Sequence, residues 1–347
     1  MIKKRLLWFP LENLDKRYTK LTREWYRTEF EKNFELVIIE GDELTQTIET
    51  GSFLDSCGTI YYKMSQFQKF AQMVRNNEVK DGDILFFDDL WAPGLHSVKY
   101  VTQMGKSINV KIFGVIHAGS HTPSDDVAVK LDKSWTRYFE QSIYELCDGV
   151  FVGSNFHKQV ILNYIGVQYS GKIHNTGLPF NVSSVFRGSD TRNWVDKDNI
   201  VVFPHRRHPE KHHELFDRLE QDVKKEVDFE VQFVRTMDLD LTNEDYYKLV
   251  GKSKVFVSFA DQENFGYATL EAATFGNALV LPNRLVYPEF YPKSCLFDTY
   301  EQCKQMVMKS LSLKRPPGNT INLSQIFKFE HSIKNMLNII KDRKSVV

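Results

Sequence analysis

Glu263-Asn264-Phe265-Gly266-Tyr267-Ala268-Thr269-Leu270-Glu271-Ala272-Ala273 lies between two short apolar runs, Val255-Phe256-Val257-Ser258-Phe259 before it and Ala278-Leu279-Val280-Leu281 after it. The flanking runs have the length and composition of buried strands, and the stretch between them, which stops at Gly276, reads as a helix. A strand, a helix and a second strand in that order make a parallel pair with its crossover. One acid, Glu263, sits at the strand-to-helix turn, and the other, Glu271, lies eight residues on, about two turns along one helix face. Free N–H groups and the partial positive charge at a helix start suit a phosphate, and carboxylates suit neutral hydroxyls. The layout fits a ligand with a pyrophosphate at the helix tip and hydroxyls on the acids.

The same alternation runs along the whole chain. Strands are expected at Arg5–Phe9, Glu35–Ile39, Asp83–Phe87, Val110–Ile116, Gly149–Val152 and Lys172–Asn175. Helices are expected between them at Lys16–Lys32, Tyr61–Asn77, Gly94–Met104, Val129–Leu146 and Asn155–Tyr164. The rhythm restarts at Ile200–Phe203 and continues through Pro209–Gln221, Phe229–Val234 and Asn243–Val250. Alternating strands and helices imply parallel sheets covered on both faces. The expected fold is α/β, with two doubly wound Rossmann-like domains facing across a cleft. Domain one is placed at residues 1–185 and domain two at 186–322. A final helix in 323–347, after Pro316-Pro317-Gly318, is expected to return to the first domain. Gly177–Asn181 and Arg187–Asp190 are read as the hinge.

A chain of 347 residues suits two domains of this size. Its 45 basic and 45 acidic residues cancel, which argues against a protein that coats nucleic acid by net charge. A local basic excess remains near the start, in Lys3, Lys4, Arg5, Lys16, Arg17, Lys20, Arg23 and Arg27. The four cysteines, Cys57, Cys147, Cys295 and Cys303, form no CxxC pair and show no zinc spacing. With no apolar run near 18 residues, no integral membrane association is expected. The N-terminal apolar run is too short for a signal peptide, and a cytoplasmic location follows as the expectation, host cytoplasm if viral.

The Glu263–Ala273 segment resembles the Glu-x7-Glu signature of retaining glycosyltransferases of the two-domain GT-B fold, family 4 in particular, down to its Phe-Gly, its Leu-Glu-Ala, its Gly276 and a later acid, Glu289. A second element points the same way. Val201-Val202-Phe203-Pro204 runs into His205-Arg206-Arg207-His208-Pro209-Glu210-Lys211, which resembles the family's strand, Gly-Arg loop and Glu-Lys element. By that resemblance Arg206 and Lys211 contact the donor diphosphate and neutralise the leaving group, so no metal is expected. Glu271 matches the position that holds the ribose hydroxyls, and Glu263 the one beside the transferred sugar. The backbone of Asn264, Phe265, Gly266 and Tyr267 would sit over the phosphates. His117, at the end of Gly114-Val115-Ile116, matches a strand-end histidine near sugar and acceptor, with His121 close to it in sequence. A Gly is usual where this chain has His205. The Asp88-Asp89 pair reads as turn acids after a buried strand rather than as a metal site.

The implied activity is transfer of a sugar from a nucleotide-sugar donor, UDP- or GDP-linked, to an acceptor hydroxyl with retention. The family's Gly-Gly loop after the first strand is replaced by Phe9–Thr19, which points to an unusual acceptor. The opening Leu7–Glu12, then Arg17-Tyr18-Thr19 and Gly51–Asp55, resemble short glycosyltransferase-like proteins of bacteriophages. A hydroxymethylated pyrimidine in phage DNA is therefore the acceptor read from the sequence, a flipped base suiting aromatic walls and a basic rim. The alternatives are a polysaccharide or lipid acceptor, or a nucleotide-sugar epimerase on the same fold.

Overall fold

The computed structural model describes residues 3–13, 18–43, 56–186, 193–317 and 328–342. Lys16, Arg17, Gly51–Asp55, Arg187–Asp190 and Gly318, each named above, lie outside them. The chain divides into two compact units, residues 1–179 with 331–347, and residues 180–330.

In the first unit six parallel strands, β1 (Arg5–Phe9), β2 (Glu35–Ile38), β3 (Ile84–Phe87), β4 (Lys111–Val115), β5 (Gly149–Val152) and β6 (Ile173–Asn175), lie in the order β2-β1-β3-β4-β5-β6. The reversal at β1 sends the crossovers to opposite faces of the sheet. Helix α1 (Tyr18–Asn33) covers one face. Along that face Trp8, Tyr26, Phe30, Phe86, Phe113 and Phe151 form a continuous aromatic layer, with Phe30 and Phe86 5.0 Å apart at their ring centres. On the other face α2 (Ser56–Arg75), α3 (Val98–Lys106), α5 (Lys133–Leu146) and α6 (Asn155–Ile165) bury Phe70, Val74, Val98, Ile143 and Ile161 against Leu7, Phe9, Leu85, Phe87, Ile112 and Val150. Alternate residues of each strand thus serve alternate faces.

The expected helix over 129–146 is two helices, α4 (Asp126–Lys130) and α5. Leu131 is extended (φ −102°, ψ 148°), and Asp125 and Asp132 each cap a helix start by accepting a backbone N–H, from Val127 and Ser134. A short carboxylate that can satisfy a free N–H starts a new helix more readily than it continues the old one.

The second unit begins with α7 (Val182–Phe186). It has five parallel strands, β7 (Asp198–Phe203), β8 (Gln232–Arg235), β9 (Ser253–Val257), β10 (Ala278–Pro282) and β11 (Leu296–Phe297), in the order β11-β10-β9-β7-β8. Helices α8 (His213–Glu226), α9 (Asn243–Lys252), α10 (Tyr267–Thr274), α11 (Tyr287–Phe290) and α12 (Tyr300–Leu311) complete it. Asn277 is fully buried and its amide donates to the Val250 and Ser253 carbonyls, which fastens α10's exit to the start of β9. The last helix, α13 (Ser332–Asp342), belongs to the first unit and packs on α1 and β5. No helix among the described residues is long and apolar enough to cross a membrane.

Phe86 is fully buried in the aromatic layer, so Phe86→Ala is expected to cost the first unit about 3–5 kcal/mol. Denaturant unfolding followed by tryptophan fluorescence checks this. A first-unit midpoint unchanged from wild type would contradict the packing described.

Candidate active site

Two loops at the carboxyl ends of β7 and β9 are joined by their own hydrogen bonds. The Lys211 Nζ donates to the Gln262 carbonyl at 2.6 Å, the Asp261 N–H donates to the Glu210 carbonyl at 2.9 Å, and the His212 ring pairs with the Asp261 carboxylate at 2.6 Å. Arg284 braces the far side, donating to the Phe259 and Ala260 carbonyls and pairing with Asp261 at 2.7 Å. The basic segment is thereby held against the turn that contains Glu263. His212 adopts a left-handed backbone (φ 55°), which lets the chain turn sharply into α8.

Within the basic loop, Arg206 pairs with Glu210 at 2.6 Å, and the Lys211 ammonium lies 3.6 Å from the same carboxylate. Glu210 is buried, so it fixes the guanidinium and offsets one of the two positive charges. The His213 ring N–H donates to the Arg206 carbonyl at 2.8 Å. His205 is buried between Phe203 and Phe256, and burial drives its imidazole well below the usual range, so it stands neutral beside Arg206 and Lys211. The sequence departs here from the expected glycine, and the ring fills space against the sheet.

At the second loop, Gly266 is left-handed (φ 83°, ψ 62°) and gives α10 no side-chain cap. The first N–H groups of α10 are therefore of the kind that an anion satisfies. Glu263 folds back over this turn: a Cβ added at Gly266 would lie 3.4 Å from the Glu263 Cγ. The Glu263 carboxylate also helps to raise the Tyr287 and Tyr291 phenols, for which burial is the main cause. Phe265 is buried against Tyr267, Phe290 and Phe329, so it anchors the turn by its ring. Asn264 and Tyr267 complete the same turn, Tyr267 as the first residue of α10.

Glu271, on the same helix, accepts hydrogen bonds from the Tyr246 and Tyr247 hydroxyls at 3.0 and 3.3 Å. Burial pushes its carboxyl up to about 7, against the pull of those two donors. The tyrosine pair on α9 and Arg284 escaped the sequence reading. An adjacent Tyr-Tyr in an amphipathic helix looks like core material until its partner is known.

His117 belongs to the first unit, just beyond β4. Its Nε2–H donates to the Asp88 carbonyl at 2.9 Å, and burial holds the ring below its usual pKa, so it is neutral at pH 7 with Nδ1 as its acceptor nitrogen. Asp88 accepts from the Trp8 indole at 2.6 Å and from the Leu11 N–H at 3.2 Å, and burial raises it to about 7. Burial pushes Asp89 up as well, but the Lys63 ammonium at 2.6 Å, with its hydrogen bond and that of the Trp91 N–H, holds it below the usual carboxylate range. Both acids are thus engaged as turn and strand-end groups. His121 lies deeper, in a buried chain with Glu140, Ser120 and His157, whose Nε2 is 2.8 Å from that of His121. That chain ties the loop after β4 to α5 and α6. No group of three or more His, Cys, Asp or Glu is arranged to hold a metal ion among the described residues.

No protein-family model matches the chain. In sequence it is similar to the tRNA-queuosine alpha-mannosyltransferase of Drosophila melanogaster, at 32% identity over 135 residues, covering 33% of this chain and 36% of that protein. The match therefore spans little more than a third of that relative's length. In structure it is similar to an alpha,alpha-trehalose-phosphate synthase (UDP-forming) from Burkholderia vietnamiensis, with a TM-score of 0.62, 10% identity and coverage of 99% of this chain and 98% of that one. A glycosyltransferase from Rickettsia africae gives 0.60 at 15% identity over 98% and 100% of the two chains, and the sucrose-phosphate synthase of Thermosynechococcus elongatus 0.59 at 11% over 98% and 94%.

Glu271 supplies a stability test with a definite sign. Its folded pKa, about 7, lies above the ordinary 4.5, so its contribution is fully present below pH 4.5 and is lost as pH rises through 7. Glu271→Gln should therefore gain stability relative to wild type between pH 4.5 and 7 and level off above. A difference independent of pH in paired thermal melts would place Glu271 in an ordinary solvated setting. The fold is that of the GT-B glycosyltransferases, two parallel-sheet α/β domains in one chain.

Proposed function

We propose that the protein is a nucleotide-sugar-dependent glycosyltransferase. The observation that carries this reading is the basic loop of Arg206 and Lys211 fastened to the Glu263–Gly266 turn at the start of α10. Two cations and a helix N-terminus meet the charge of a nucleoside diphosphate as it departs, without a metal ion. Glu263 stands beside the transferred sugar, Asn264, Phe265, Gly266 and Tyr267 line the phosphates, and Glu271, held by its two tyrosines, takes the ribose hydroxyls. UDP or GDP is the nucleotide; the Burkholderia neighbour is named as UDP-forming.

Transfer proceeds with retention by attack on the same face that the leaving group vacates. The acceptor oxygen bonds to the anomeric carbon, the bond from that carbon to the diphosphate breaks, and the acceptor proton passes to a diphosphate oxygen. His117, neutral, hydrogen-bonds a sugar or acceptor hydroxyl.

The acceptor hydroxyl belongs to a modified nucleoside in a nucleic acid. Two lines support this: the likeness to phage proteins, which points to hydroxymethylated pyrimidine in DNA, and the curated relative, which is named for queuosine in tRNA.

The test is release of nucleoside diphosphate from a panel of sugar nucleotides, alone, with hydroxymethylcytosine DNA, and with queuosine-bearing tRNA. Release stimulated by one nucleic acid is the expected result and names the acceptor. Release unaffected by both moves the acceptor to a carbohydrate or lipid, and no release from any donor overturns the transferase reading. Glu263→Gln is expected to lower turnover by about two orders of magnitude while nucleoside diphosphate affinity stays near wild type. Equal turnover would remove Glu263 from the site.

A further inference from the structure

In the first unit α5 follows β4 and precedes β5, so it runs against the strands and its first turns stand at their carboxyl end, where His117 lies. Those turns are unusual for a solvent-facing helix. Trp135 and Tyr138, three residues apart and so on one side, are 45% and 71% exposed. Lys133 and Arg137 occupy the other margin of the same exposed arc, with Lys130 just before, and the Arg137 guanidinium lies over the Tyr164 ring of α6 at 5.8 Å. The charges opposing them are few. Asp125 and Asp132 are each spent as helix caps, and Glu140 is buried on the inner face.

The exposed rings connect inward. Trp135 packs edge-on against Phe139 (6.0 Å between ring centres) and Phe139 against Trp91 (5.0 Å). Trp91 stands two residues past Asp89, accepts the Lys63 ammonium at its carbonyl, and has a buried indole N–H with no acceptor among the described residues. That indole crowds Gly119, two residues past His117: a Cβ there would fall 2.2 Å from the Trp91 Nε1. Helix α2, whose Lys63 reaches the Trp91 carbonyl, exposes Tyr61 at 45%. An aromatic path therefore leads from a basic, exposed helix start to the loop of His117.

We infer that the α5 start is the landing surface for an unpaired stretch of the nucleic-acid acceptor, with Trp135 and Tyr138 stacking bases and Lys130, Lys133 and Arg137 meeting phosphates. Every base offers a flat face, and rings interleaved with cations are what single strands require. Val129 and Leu131, beside Lys130, are exposed at 66% and 37%, but the first two turns of α5 expose rings, cations and Ser134 with Asp132 alongside and no aliphatic side chain, which suits stacked bases better than acyl chains. This inference rests on the nucleic-acid acceptor reading above.

The experiment is fluorescence anisotropy of a labelled short single strand, as DNA and as RNA, against the full chain at two salt concentrations, with anionic phosphatidylserine vesicles as a parallel arm. Trp135→Ala with Tyr138→Ala should weaken single-strand binding about tenfold or more. Lys133→Ala with Arg137→Ala should lower the salt dependence of log K by about 0.7 per charge removed. Affinity for UDP and GDP, read on the same proteins, reports on the second unit. Nucleotide binding without any single-strand binding overturns this surface and leaves the transferase standing, whereas absence of both counts against the transferase itself. Variants that bind the strand as wild type does, or a wild type that binds vesicles and no nucleic acid, also overturn it.

Discussion

The bond from Lys211 to the Gln262 carbonyl is the constraint on which the second unit's candidate site depends. It joins two loops that leave different strands, and it works together with the Glu210–Asp261 and His212–Asp261 links beside it. An ammonium has three donors, so one can hold the neighbouring loop while the others face a ligand. Lys211 is buried, and its charge is kept in check by Glu210 at 3.6 Å rather than by water. Removing either partner would leave a buried charge without its counterpart, which is why this loop has to be assembled as a whole.

Burial also sets protonation in both units. Asp88 and Glu271 are each raised to about 7, while His117 and His205 are driven down. His117 and His205 therefore stand neutral at physiological pH, while Asp88 and Glu271 titrate close to it. Under the proposed function, a diphosphate at the Arg206–Lys211 loop would meet cations already fixed by their partners.

Much of the fold was legible because its strands are short, apolar and separated by amphipathic helices. Val255–Phe259 and Ala278–Leu281 were read within a few residues of β9 and β10, and the paired sheets followed. Local capping was harder. Asp125 and Asp132 break one periodic run into two helices, and periodicity alone does not see a cap. In the candidate site, the turn at Glu263–Gly266 could be read from its place between an apolar run and a helix, and the φ of 83° at Gly266 is one that glycine adopts without strain. Tyr246, Tyr247 and Arg284 could not, since their importance lies in which distant carboxylate or carbonyl they reach. His205 was noted only as a departure from a pattern, and its burial between two phenylalanines is a tertiary fact.

The central claim is that the Arg206–Lys211 loop, fastened to the Glu263–Gly266 turn, forms a diphosphate site. Calorimetric titration of UDP and of GDP into the wild type and into Arg206→Ala tests it most directly. The account predicts one site per chain for one of the two nucleotides, weakened about tenfold or more when the guanidinium is removed. Binding of equal strength in the variant, or no binding of either nucleotide to the wild type, would contradict it.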